Sequence, residues 1–239
     1  MSLIDPAMLF RFSVPCLKVS KPWGATGVNL TPRYKLPSLQ ELSGRDEYAD
    51  VRIGWNTEGI FIQAEVKGKQ QALWCRDSRV EDSDGLHLFI DTRDTHTIHR
   101  ANRFCHWFTF MPEGAGARRA EPLAAHLEIN RARENPTLVR SERLQVYAQT
   151  KKDGYLIRGR IPADCLTGFD PEDYPRLGFS YAVVDRELGW QTFSVGPEYP
   201  VQEDPTLWGT LELESQCRHH RSCMKFGSLI SKFPKQDFV

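Results

Sequence analysis

Apolar residues recur at every second position in several short runs of the chain. In GIFIQAEV, Ile60, Ile62, Ala64 and Val66 fall on one side, with Gln63 and Glu65 on the other. That period of two is the pattern of a strand with one buried face. GLHLFID groups Leu86, Leu88 and Ile90, and GYLIRGRI sets Tyr155, Ile157 and Ile161 inward against outward Arg158 and Arg160. LGFSYAVVD and WGTLEL follow the same rule, and further strands are expected at 9–14, 50–55, 104–111, 123–129, 144–150 and 190–195. Turn residues separate the runs, as in Asn56-Thr57-Glu58-Gly59 and Lys152-Asp153-Gly154. Helix signals are confined to single turns at PADCL and SLQEL. Many strands with almost no helix predict an all-β fold, an antiparallel β-sandwich with sheets layered as in immunoglobulin-like domains. One sandwich is expected over residues 1–214, followed by a basic extension over 215–239. Residues 112–122, PEGAGARRAEP, lack strand periodicity and are expected to form a long loop.

Composition narrows the function classes. The 31 basic residues balance the 31 acidic ones, so neither nucleic acid nor an anionic membrane is indicated as a partner. Arg131, Arg133, Arg140 and Arg143 form one local cluster, expected as a solvated loop or, with the tail, as part of a protein-interaction surface. No run approaches the ~20 apolar residues of a membrane span. The start, MSLIDPAMLFRFSVPCLK, lacks a basic region followed by an uninterrupted apolar stretch, which predicts a cytoplasmic protein unless a leader was trimmed. The six cysteines are too sparse for a disulfide scaffold.

Candidate chemistry gathers around DSDGLHLFIDTRD. Asp82 and Asp84 precede the expected strand, and Asp91 and Asp94 follow it. Seven residues at ~3.3 Å each hold the two ends roughly 20 Å apart, too far for one acid–base couple. No catalytic set is therefore assigned. Asp82 and Asp84 are expected to cap backbone amides, with a structural calcium as the alternative. His87, His96, His99, Cys105 and His106 suggest zinc only if they converge, and the spacing of Cys217, His219, His220 and Cys223 fits no finger. On RFCHWFTFM, Phe104, His106, Phe108 and Phe110 share the expected core face, leaving Trp107 with Arg103, Cys105 and Thr109 on the other. If strands 86–90 and 104–111 are neighbours, His87 joins Trp107 and Arg103 on a concave face. Trp74, beside Cys75 and Arg76, is expected at an exposed strand end.

Taken in order, IFIQAEVKG, DSDGLHLFIDTRD, DGYLIRGRIPADCL, RLGFSYAVVD and DPTLWGTLEL resemble the family-nine carbohydrate-binding modules and the wider DOMON-like superfamily, over roughly residues 51–213. The resemblance implies two antiparallel sheets and non-catalytic binding of a mono- or oligosaccharide, often beside a glycoside hydrolase. His87 stands where sugar-binding members carry a glutamate, and Trp107 falls about where they carry an arginine, with Arg103 nearby. The first stacking tryptophan of those members maps near Glu81, the nearest here being Trp74. The second maps to Gln202 and Glu203. The expected site is therefore a sugar ring on Trp74 or Trp107, hydrogen-bonded by Arg76, His87 and Arg103. A DOMON-like domain binding haem, a metal or another small ligand through its histidines is the alternative.

Overall fold

The alternating runs become strands, including β-structure at Gln145–Lys151 where no residue is fully buried. A computed structural model describes residues 10–37 and 44–214. Within them lie β1 (Ser13–Leu17), β2 (Ala49–Asn56), β3 (Gly59–Lys67), β4 (Gly85–Asp91), β5 (Cys105–Ala115) and β6 (Glu121–Leu127). The series continues with β7 (Gln145–Lys151), β8 (Gly154–Pro162), β9 (Arg176–Asp185), β10 (Gly189–Thr192) and β11 (Gly209–Glu214). A seven-stranded sheet has the order β1-β11-β9-β4-β5-β6, with β10 beside β9, and a four-stranded sheet has the order β2-β3-β8-β7. All pairings are antiparallel except β1 with β11. The first strand forms at Ser13–Leu17, later than the expected 9–14. PADCL makes the single turn expected of it, at Ala163–Cys165, while SLQEL and the 215–239 tail lie outside the described residues.

The inward faces match the alternation. Ile60, Ile62, Leu88, Phe110, Ile157 and Leu211 are buried together between the sheets. The sheets approach so closely at Gly159 that a Cβ there would sit 2.6 Å from the Phe110 ring. Gln191 ties the layers with polar bonds: its Oε1 accepts from the Tyr48 and Ala49 amides at 2.9 and 2.8 Å, and its Nε2 donates to the Ala49 carbonyl at 2.8 Å.

The outward faces depart from the simple alternation, because connecting segments cover them. Over the four-stranded sheet, Phe61 packs with Val19, Val28, Leu30 and Tyr34. Gln63, expected to face solvent, is 2% exposed; its Oε1 accepts from the Leu30 amide at 3.2 Å and from Arg158 Nε at 3.1 Å. Over the seven-stranded sheet, Phe89, Trp107 and Ala182 lie under Ala101, Ile129, Val195, Val201 and Trp208. Residues 112–122 are also more regular than expected: β5 runs on to Ala115, β6 starts at Glu121, and a register shift lies between Met111 and Ala115. Gly114 (φ 126°) and Gly116 (φ 76°) take up the left-handed conformations that this bulged hairpin demands.

Three histidines are caught inside these layers. His106 Nδ1 and His126 Nε2 lie 3.3 Å apart, and their remaining ring nitrogens accept from the Thr167 and Val139 amides. His87 is fully buried on the outward face of β4. Burial depresses their pKa values from the usual 6.5 to about 4 for His87, about 3 for His106 and about 4 for His126. Below pH 6.5 the unfolded chain binds protons that the folded chain refuses, so stability is fully present above that pH and falls as the pH drops toward 4. For His87 alone the loss by pH 5 is about 2 kcal/mol. Urea unfolding at pH 7.5, 6 and 5 is expected to show a falling midpoint, with a shallower pH dependence in His87→Gln.

Candidate functional site

At the end of the sandwich where β4 begins, one buried carboxylate organises the surface above it. Asp84 is fully buried. Its Oδ2 accepts from the Trp74 amide at 2.8 Å and from Lys69 Nζ at 3.0 Å, and its Oδ1 accepts from the Arg186 amide at 2.8 Å. Lys69 also donates to Asp185 Oδ1 at 2.9 Å, an oxygen that accepts the Glu187 and Leu188 amides as well. Burial alone would lower the Lys69 pKa; its hydrogen bonds to Asp185 and Asp84 reverse this and hold the ammonium charged.

This cluster fixes the backbone under three exposed or half-buried side chains. Trp74 is half-buried, with the Arg186 guanidinium 4.8 Å and the Arg76 guanidinium 5.9 Å from its ring centroid. The Arg76 amide donates to Ser83 Oγ at 2.9 Å, and that hydroxyl donates back to the Arg76 and Arg79 carbonyls. An indole flanked by two guanidinium forks offers a flat apolar surface beside several donors, the chemistry that a polar ring-shaped ligand requires.

The five residues expected to bind a ligand do not form one concavity. Trp74 and Arg76 adjoin each other at the β4 start. His87 and Trp107 do meet, since Trp107 Nε1–H donates to His87 Nδ1 at 3.1 Å. Yet Trp107 is 1% exposed and His87 fully buried, because the segments between β4 and β5, β6 and β7, and β10 and β11 close over this face. The bond from Trp107 places the proton of neutral His87 on Nε2, which is buried without a hydrogen-bond partner. Arg103 lies at the far end of β5, its guanidinium 5.1 Å from the Phe104 ring.

The acids serve local structure. Asp82 pairs with Arg79 at 2.6 Å on the surface, whereas Asp84 faces inward to Lys69, so the pair considered for calcium does not converge. Asp91 accepts from the Arg93 and Thr95 amides, and Asp94 meets His96 at 2.6 Å and Arg176 at 3.2 Å. Among the described residues, no group of three or more His, Cys, Asp or Glu side chains is arranged to hold a metal. Elsewhere a cleft of about 450 Å³ is lined by His99, Arg100, Arg131, Pro200, Glu203 and Asp204. Within it Arg131 meets Glu203 at 3.7 Å and His99 meets Asp204 at 3.1 Å, while Arg100 donates to the Arg131 carbonyl at 2.7 Å.

Sequence reasoning missed Lys69, Asp185 and Arg186. Each lies in or beside a turn whose composition is ordinary. The pairing of β4 with β9, which aligns Gly85 with Val184, sets Asp185 and Arg186 beside Asp84, and the packing of the two sheets brings Lys69 to them.

The sequence matches the family described as carbohydrate family 9 binding domain-like over residues 22–216. Comparison with curated proteins gives no match. Among solved structures, the chain is similar to a carbohydrate binding module family 9 from Caldicellulosiruptor kristjanssonii in complex with cellotriose, at 12% identity and a TM-score of 0.58, covering 86% of this chain and 95% of that one. It is likewise similar to a module of that family from the same organism in complex with glucose, at 11% identity and a TM-score of 0.58, covering 88% and 100%. At such identities the likeness is one of fold.

Lys69→Met is expected to leave Asp84 and Asp185 buried without a counter-charge, at a cost of about 3–5 kcal/mol. Equilibrium denaturation reads the loss directly; a change below about 1 kcal/mol would mean the ion cluster does not hold this end together.

Proposed function

The chain belongs to the carbohydrate family 9 binding domain-like family, and from that premise we propose that it is a non-catalytic carbohydrate-binding module whose ligand rests at Trp74, Arg76 and Arg186. The observation that carries this reading is the buried Asp84 carboxylate. By accepting the Trp74 and Arg186 amides on its two oxygens, it presents an indole and a guanidinium at fixed separation before any ligand arrives. Preorganisation of this kind lowers the entropic cost of binding. The structural neighbours in complex with cellotriose and glucose support a saccharide as the ligand class. His87, Trp107 and Arg103 are left out of the contact set, the first two by burial and the third by its place at the far end of β5. In this reading the module serves a glycoside hydrolase by holding it close to its polysaccharide.

Trp74→Ala is expected to weaken oligosaccharide binding about five- to twelvefold, the worth of a lost ring contact of roughly 1–1.5 kcal/mol. Titration calorimetry on the wild type and the variant measures it. Unchanged affinity in a folded variant would remove the site from this end of the sandwich.

A further inference from the structure

We propose that the saccharide taken at Trp74 is acidic, a uronate unit whose carboxylate is received by the Arg186 and Arg76 guanidinium groups; this rests on the module reading above. The indole does not offer a bare face on the Arg186 side, because that guanidinium lies 4.8 Å from the ring centroid. What a ligand meets there is a cation held on a ring, an arrangement stabilised by the ring quadrupole. A neutral sugar stacking on this face must first displace Arg186. A carboxylate instead binds the fork where it stands, two parallel N–H donors matching its two oxygens.

Charge accounting around the ring points the same way. Asp77 is taken by Arg119 at 3.5 Å and Asp82 by Arg79 at 2.6 Å. Glu187 accepts the Gln70 and Gln71 amides at 3.0 and 2.8 Å. Among the described residues, Arg76 and Arg186 are left without an ion-pair partner, although both are anchored through the backbone, Arg76 to Ser83 and Arg186 to Asp84. In the cleft at His99 and Arg131 the guanidinium groups are engaged, Arg131 by Glu203 and Arg100 by the Arg131 and Ala132 carbonyls. Two uncommitted forks on a rigid base, beside an apolar ring, fit a pyranose that carries a carboxylate.

The test is calorimetric titration of the full chain with oligogalacturonate and oligoglucuronate, against neutral gluco- and galacto-oligosaccharides of equal length. The wild type is expected to bind an acidic oligomer at least tenfold more tightly than its neutral counterpart, with the preference shrinking as salt is raised. Arg186→Gln keeps the backbone amide that Asp84 holds, so it is expected to fold normally and to lose most of the preference. Arg186→Lys, which keeps the charge without the fork, is expected to fall between. Equal affinity for acidic and neutral oligomers overturns the acidic class and leaves the module reading standing. No binding of either by the folded wild type overturns both. Acidic binding undiminished in Arg186→Gln and Arg76→Gln also overturns the proposal, because the anion would then be held elsewhere.

Discussion

A carboxylate withdrawn from water is tolerated only when its lone pairs are filled by donors and its charge is met, and at Asp84 both conditions recruit distant parts of the chain. Lys69 comes from just beyond β3 of the four-stranded sheet, while Asp84 and Asp185 come from the ends of β4 and β9 in the other sheet. The ion cluster therefore fastens the two layers at one end, where Gln191 adds neutral hydrogen bonds between them. It also decides what the surface can present, because the amides that complete it belong to Trp74 and Arg186. A lysine in this role brings its positive charge covalently, so the geometry is independent of any bound cation.

Most of the architecture was legible in the alternation of side chains, because inward positions such as Ile60, Leu88 and Ile157 must be apolar in any sandwich of this kind. Legibility failed at the outward faces. Gln63 and His87 look solvent-facing or ligand-facing by position, yet both are buried by segments whose cover depends on long-range packing that has no local period. The 112–122 hairpin escaped for another reason: Gly114 sits inside a bulge, and a bulge interrupts the very period by which strands are recognised. At the candidate site, residue type marks Trp74 and Arg76, and Asp84 is legible as an acid near a turn. Arg186 and Lys69 gave no signal, since a cation in a turn is unremarkable until strand pairing shows what it faces.

Closure of the outward face also changes the meaning of the pair at His87 and Trp107. On an open sheet an indole N–H and an imidazole would be ligand contacts. Under Ala101, Val201 and Trp208 they satisfy one another, and the bond fixes which ring nitrogen keeps the proton. The same side chains thus pass from recognition to internal structure when surrounding loops become large and apolar enough to pack down. In the proposed site recognition lies instead at the rim, where Trp74 is half-buried and Arg76 and Arg186 are exposed.

The parallel pairing of β1 with β11 sets Ser13 beside Thr210 and Leu17 beside Glu214. Within its sheet, β1 has no other strand neighbour among the described residues, so its hydrogen-bonding edge stays open until nearly the whole domain has been made. At about 5–20 residues per second, a ribosome takes on the order of 10–40 s to deliver that partner. During this interval Val14 and Cys16, core residues in the finished sandwich, have nothing native to pack against through β11. The segment just past β1 can meet β2 early, through the Lys18–Trp55 bridge and the Val19 amide on the Trp55 carbonyl. The sheet pairing of β1 itself must wait for the last strand, which makes that pairing a long-range and therefore late step of assembly.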